Sequence, residues 1–326
     1  MHISAKRIDE ILREAAGRHI VVLGDIMIDQ YLTGRVERIS PEAPVPIVEI
    51  KEETVRLGGA ANVALNVLSL GCAVTLVGLI GEDRMGHTCE ELFAKRGIHA
   101  QGLVRSASRP TTVKTRVIGD NQHLVRVDKE VTTAADAAES AALQKALAGC
   151  LQKADALIME DYNKGVLTPE IIKFAIKEAA KHGVPVMVDP KFNSFMDYRH
   201  VTVFKPNIIE TAQALAVELP NENEAVEKAG RALLSKLEAD SVLITRGARG
   251  LSLFEKDGTM LHIPTRARQV ADVSGAGDTV IATFTVAVCG KADKKEAALL
   301  ANMAAGLVVG RIGIVPVSAG QLRDLS

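Results

Sequence analysis

Short runs of β-branched and aliphatic residues alternate with helical patterns along most of the chain. Six runs read as strands: Ile20–Leu23, Val74–Val77, Ala156–Met159, Pro185–Val188, Val201–Phe204 and Val242–Thr245. Between them lie amphipathic or buried helical patterns over Ala60–Leu70, Gly86–Arg96, Ala137–Cys150, Pro169–His182, Glu210–Val217 and Asn223–Leu237. Near-continuous apolar strands separated by helices predict an α/β fold, a doubly wound and mainly parallel sheet flanked by helices on both faces. Thr168-Pro169-Glu170 predicts a sharp helix start, with Thr168 as N-cap and Pro169 at the first helical position.

Two segments break the alternation. Val45–Ile50 follows Ser40-Pro41-Glu42-Ala43-Pro44 and reads as an isolated strand, while Val113–Ile118 and Leu124–Val127 flank the turn signal Gly119-Asp120-Asn121 and read as a hairpin. We expect a small β-sheet lid at about 35–57 and 110–128, inserted in a single domain spanning 1–326. A flap of two or three strands is marginal alone. Its exposed edges therefore predict closure over a ligand, or a homodimer through the lid.

Composition narrows the class. Apolar residues make up 47% and charged residues 24%, with a formal net charge of −1. Basic and acidic residues are interspersed, which predicts neither a nucleic-acid partner nor a membrane surface. The stretch from Met1 to His19 lacks an apolar signal core, and Cys72, Cys89, Cys150 and Cys289 form no Cys-x-x-Cys pair. The expectation is a soluble cytoplasmic protein with reduced, packed thiols.

The sharpest chemical feature is Asp272-Val273-Ser274-Gly275-Ala276-Gly277-Asp278, followed by apolar Thr279–Cys289. Small residues permit a tight turn, and the unpaired N–H groups of the following helix make an anion site. A carboxylate beside that site repels phosphate but is placed to take a proton from an attacking hydroxyl. By itself, Asp278 is equally a helix cap after a Gly-rich turn. Rival motifs are absent: there is no Gly-x-x-x-x-Gly-Lys-Ser/Thr, no Gly-x-Gly-x-x-Gly after the first strand, no His-Glu-x-x-His and no Gly-x-Ser-x-Gly.

At this loop the chain resembles the ribokinase-like (pfkB) carbohydrate kinases, whose signature is Asp-Thr-x-Gly-Ala-Gly-Asp; Val273 stands where Thr is usual. Gly58-Gly59-Ala60-Ala61-Asn62 is similar to their sugar-contacting Gly-Gly signature. Asn207-Ile208-Ile209-Glu210 is similar to their Asn-x-x-Glu motif, and Thr245-Arg246-Gly247 to a Thr-x-Gly motif at the nucleotide. The resemblance covers about Ile20 to Val317. It implies an ATP-dependent kinase in which Asp278 is the base and the Gly275, Ala276 and Gly277 amides receive the γ-phosphoryl charge. It also implies that Asn207, Glu210, Thr245, Gly247 and Ser274 serve ATP, with Glu210 holding Mg²⁺ through water. Some relatives add a monovalent cation, here near Asp272 and Gly313–Val317.

Within the family, Gly24-Asp25-Ile26-Met27-Ile28-Asp29 and Arg38-Ile39-Ser40-Pro41-Glu42-Ala43-Pro44-Val45-Pro46 resemble the D-glycero-β-D-manno-heptose 7-phosphate kinases, as do Asp161-Tyr162-Asn163-Lys164-Gly165 and Asp189-Pro190-Lys191. The resemblance implies phosphorylation of the anomeric hydroxyl to the 1,7-bisphosphate, the first step only, since many bacterial relatives carry a fused nucleotidyltransferase and this chain stops after the kinase motifs. Asp29, Gly58, Gly59 and Asn62 are then sugar ligands, and Asp25 either a further ligand or a turn cap. Lys114, Arg116, Arg126 and Lys191 are candidates for the existing phosphate, against the plainer reading of lid cations as solvated strand charges. Glu160 and Asp161 divide, one toward the site and one toward solvent or Lys164; Asp189 joins the substrate group. Asn207 and Glu210 also fit a plain helix cap with a first-turn acid. His87, His99, His123 and His182 lack metal spacing and are expected at the surface. Met303 and Val309 are expected to pack the core, a use that can coexist with lining an adenine pocket. A kinase for another sugar, a non-catalytic nucleotide- or sugar-binding protein and, more distantly, a nicotinamide oxidoreductase are the competing readings.

Overall fold

The computed structural model describes residues 3–120, 122–265, 272–310, 313 and 315–325. Asn121 of the expected hairpin turn and Ile314 of the expected cation segment lie outside them.

Among these residues nine strands form the main sheet. Its parallel part runs β5 (His99–Ser106), β4 (Ala73–Gly81), β1 (His19–Gly24), β8 (Ala156–Glu160), β9 (Val186–Asp189), β10 (Val203–Phe204) and β11 (Ser241–Thr245). Two antiparallel strands, β12 (Leu251–Glu255) and β13 (Met260–Ile263), continue it past β11. The alternation of side chains along β1 divides the core in two: Ile20 and Val22 join the cluster on one face, Val21 and Leu23 that on the other. All four are fully buried, which is why this strand reads as a continuous apolar run.

The expected helices are present, Asn223–Leu237 with the expected bounds. Thr168 caps Pro169–Lys181 through Ile171 N–H. The helix Ala5–Ala15, β5 and the β12–β13 pair are additions to the sequence reading, and Val201–Phe204 shortens to β10. The alternating, partly exposed β5 sits at the sheet edge, where no continuous apolar run is needed. No helix among the described residues is long and apolar enough to cross a membrane. All four cysteines are free, and Cys72, Cys89 and Cys150 are buried.

The second sheet corrects the expected flap. The expected strand Val45–Ile50 is not isolated: from Pro46 on it is the start of β3 (Pro46–Gly59), paired antiparallel with the equally long β2 (Ile26–Ile39). Across β2 lies the expected hairpin, β6 (Thr112–Gly119) and β7 (Gln122–Lys129), giving the order β3-β2-β6-β7. Strand β2 leaves the main domain directly from Gly24-Asp25 and β3 returns at Gly58-Gly59. The lid is thus rooted beside the carboxyl end of β1.

Candidate active site

The sheet order reverses at β1, whose neighbours are β4 on one side and β8 on the other. Such a switch point opens a crevice at the carboxyl ends of the strands. There the register sets Gly24 beside Glu160 and Glu160 beside Asp189, so Asp25, Glu160, Asp161 and Asp189 gather at one edge, all buried.

The helix Ala276–Cys289 points its N-terminus into this crevice. Gly275 caps it at φ 75°, in the left-handed region that glycine adopts without strain, and Asp272 braces the loop by accepting from Ser274 N–H at 2.9 Å and Gly313 N–H at 3.0 Å. Asp278, 3% exposed, stands in the first turn. Its Oδ2 accepts from Asn62 Nδ2 at 2.6 Å and its Oδ1 from the Tyr162 hydroxyl at 2.9 Å. Burial pushes the Asp278 carboxyl up; the Asn62 and Tyr162 hydrogen bonds, with Lys205 and Lys191 nearby, pull it back toward the ionised form.

The Gly-Gly signature has a steric reason. A Cβ on Gly58 would meet Asp29 Oδ2 at 2.3 Å, and one on Gly59 (φ 56°) would meet the Asp25 carbonyl oxygen at 2.4 Å. Gly59 also caps Ala60–Ser69, which delivers Asn62 to Asp278. Asn62 therefore reaches Asp278, and Asp29 is ion-paired with Arg116. Asp25 is the turn organiser of the two readings. It accepts from the N–H groups of Tyr162, Lys164 and Val166, while burial and then Asp161 raise it to about 6.

Glu160 and Asp161 do divide, with one correction: Asp161 faces neither solvent nor Lys164, but accepts from the Tyr198 hydroxyl at 2.8 Å inside the core. Lys164 pairs instead with Glu130. Glu160 faces Asp189 and Asp278, with ligand oxygens of all three within 4.8 Å of one another. Lys205 answers that charge, its Nζ 2.8 Å from Asp189 Oδ2, and we assign no metal to the trio. Burial, opposed by Lys205, raises Asp189 to about 6; burial, then Asp189 and Asp278, drives Glu160 well up, toward its neutral acid.

Lys205 is a residue the motifs do not announce. It is 2% exposed, and a Cβ on Gly277 would lie 3.4 Å from its Nζ, so the ammonium sits against the Gly-rich 272–278 loop. Its sequence signal is a lone cation closing a buried strand before Pro206-Asn207.

Asn207 and Glu210 form a capping box, the plainer of their two readings: Glu210 N–H donates to Asn207 Oδ1 at 2.8 Å, and Asn207 N–H to Glu210 Oε2 at 2.9 Å. Glu210 Oε1 also accepts from Lys191 Nζ, whose ammonium lies 5.4 Å from the Tyr162 ring centre. Both Glu210 oxygens are thus engaged, one by its own helix cap and one by Lys191. Thr245, Gly247, Ala276, Gly277 and Val309 line a cavity of about 430 Å³ beside the loop. Val309 thus faces the cavity, whereas Met303 packs the core. The four histidines expected at the surface are exposed.

On the lid, Arg116 and Arg56 flank the Tyr31 ring at 5.2 and 5.1 Å. Lys114 pairs with Asp128 and Glu130, and Arg126 with Asp128. The Arg38–Pro46 run forms the exposed tip between β2 and β3.

A family model described as pfkB family carbohydrate kinase matches residues 18–318. The chain belongs to this family. It is 40% identical over 317 residues to the bifunctional protein HldE of Citrifermentans bemidjiense, covering 97% of this chain and 65% of that protein. It is 43% identical over 312 residues to that of Caulobacter vibrioides, covering 95% and 64%. The chain thus spans just under two thirds of these curated relatives. Phosphofructokinase-2 from Escherichia coli superposes with TM-score 0.79 at 18% identity, covering 94% of this chain and 97% of that one. Ribokinase from Arabidopsis thaliana superposes with TM-score 0.72 at 21% identity, covering 95% and 98%. The fold is ribokinase-like, and family membership makes the chain an ATP-dependent carbohydrate kinase.

Proposed function

We propose that this kinase transfers the γ-phosphoryl group of ATP to the anomeric hydroxyl of D-glycero-β-D-manno-heptose 7-phosphate, in the cytoplasm, and that 1–326 acts as one kinase domain. The observation that carries the chemistry is Asp278, a buried carboxylate at a helix N-terminus between the phosphate loop and the acidic crevice. Asp278 takes the hydroxyl proton; the amides of Gly277 and its neighbours, with Lys205, receive the charge developing on the phosphoryl oxygens. Ser274 shapes the loop, and Thr245 and Gly247 form the nucleotide wall. Asn207 would serve the nucleotide, and Glu210 would hold Mg²⁺ through water, a cation that when bound neutralises phosphate charge. Support for the heptose comes from the Arg38–Pro46 and Asp161–Gly165 runs and the 40% identity to HldE proteins. Asp29, Asn62, Glu160 and Asp189 offer groups for sugar hydroxyls, and Arg116 and Lys191 charge for the 7-phosphate.

The lid supports the homodimer. Val125 and Val127 on the edge strand β7 are 53% and 56% exposed, and Ile39 and Val45 at the tip 61% and 51%. A second lid would cover them. Incubation with ATP, Mg²⁺ and a panel of sugar phosphates, followed by phosphorus NMR, tests the substrate. We expect the 1,7-bisphosphate; phosphorylation of another sugar with none of the heptose would overturn the narrower reading.

A further inference from the structure

We infer that Tyr162 is a positioning residue for the base: its hydroxyl, by donating to Asp278 Oδ1, sets the orientation of that carboxylate and keeps it ionised until the acceptor arrives. The inference rests on the proposed role of Asp278 as base.

Asp278 is held from two directions. Asn62, on the helix Ala60–Ser69, takes Oδ2 at 2.6 Å, and Tyr162, just beyond β8, takes Oδ1 at 2.9 Å. Tyr162 is itself fixed at both ends. Its N–H donates to the buried Asp25 at 2.7 Å, and Lys191 Nζ lies 5.4 Å from its ring centre. A phenol so held is a preset donor, and burial beside Asp278, Glu160 and Asp189 keeps it protonated. Each carboxylate oxygen has a second lone pair, so Oδ1 can keep the phenol and still receive the substrate proton. Without the phenol, the carboxylate would be tied by Asn62 alone.

Charge around Asp278 comes from Glu160 at the end of β8, Asp189 at the end of β9, Lys191 after it, and Lys205 after β10. Tyr162→Phe changes none of these charges, so it isolates the hydrogen bond. A donor to the ionised form lowers a carboxyl pKa, and its loss raises it. We therefore expect the acid limb of the kcat–pH profile to move up by about one pH unit. KM for ATP should stay unchanged. Replacing Tyr162 with 3-fluorotyrosine, a stronger donor, should move the limb down. A Tyr162→Phe profile that superimposes on the parent, or falls equally at every pH, overturns the inference. Should Tyr162→Phe fail to fold, the absence of a downward shift with 3-fluorotyrosine does the same. Asp278→Asn separates the two levels: if it retains turnover, the base assignment itself is wrong, whereas an inactive Asp278→Asn with an unshifted Tyr162→Phe profile removes only Tyr162.

Discussion

The crevice and the lid place charges under opposite physical conditions. At the carboxyl edge of the main sheet, Asp25, Glu160, Asp189, Lys205 and Asp278 are all nearly inaccessible, and the protonation of the four carboxyls follows from burial and named partners. On the lid, every residue of β7 is exposed, and the Arg126–Asp128 pair lies largely in water. Buried groups act strongly and tolerate little displacement, because low dielectric amplifies each interaction. Exposed pairs, screened by water, contribute little. Asp29–Arg116 is the junction: both partners stand on lid strands, β2 and β6, yet Asp29 is 2% exposed.

That contrast can be broken most strongly at Asp278. Asp278→Asn should lower kcat by about 10²–10⁴-fold while calorimetric affinity for a non-hydrolysable ATP analogue stays near the parent value. Unchanged turnover would show that the buried edge is not where the proton goes. Arg116→Ala should come next, raising KM for the sugar phosphate by roughly 10–100-fold, as expected when a charged hydrogen-bond partner is lost and Asp29 is left buried alone. KM for ATP should not move. Gly59→Ala sharpens the same boundary by strain: holding alanine at φ 56° against the Asp25 carbonyl should cost about 1–3 kcal/mol in denaturant unfolding, with kcat falling as Asn62 is displaced. The smallest effect belongs to the lid surface, where Arg126→Ala should change stability by less than about 1 kcal/mol. A larger loss would mean that β7 is buried in the working assembly.

Local patterns were the legible part. The βα alternation, the Thr168-Pro169 start, the Asn207–Glu210 cap and the 272–278 loop each occupy a few consecutive residues whose backbone chemistry is self-contained. The lid was legible as a separate object but not in size. The long β2 merges an apolar start, buried at the crevice, with a polar, solvent-facing end, so no single periodicity runs through it. Likewise, Asp161 and Glu160 look equivalent as a pair, and pleat alternation alone does not say which of the two faces is core.

By itself, then, the sequence determined the family, the parallel core, the Gly-rich loop before a helix and the carboxylate in that helix's first turn. These depend on short-range steric and hydrogen-bonding rules. Tertiary structure decided which groups meet that carboxylate. Asn62 and Tyr162 stand 216 and 116 residues from Asp278 in the chain, and Lys205 reaches Gly277 from another strand end. Only the reversal of strand order at β1 brings them to one crevice, and only burial there converts ordinary carboxyl, phenol and ammonium groups into a coupled set.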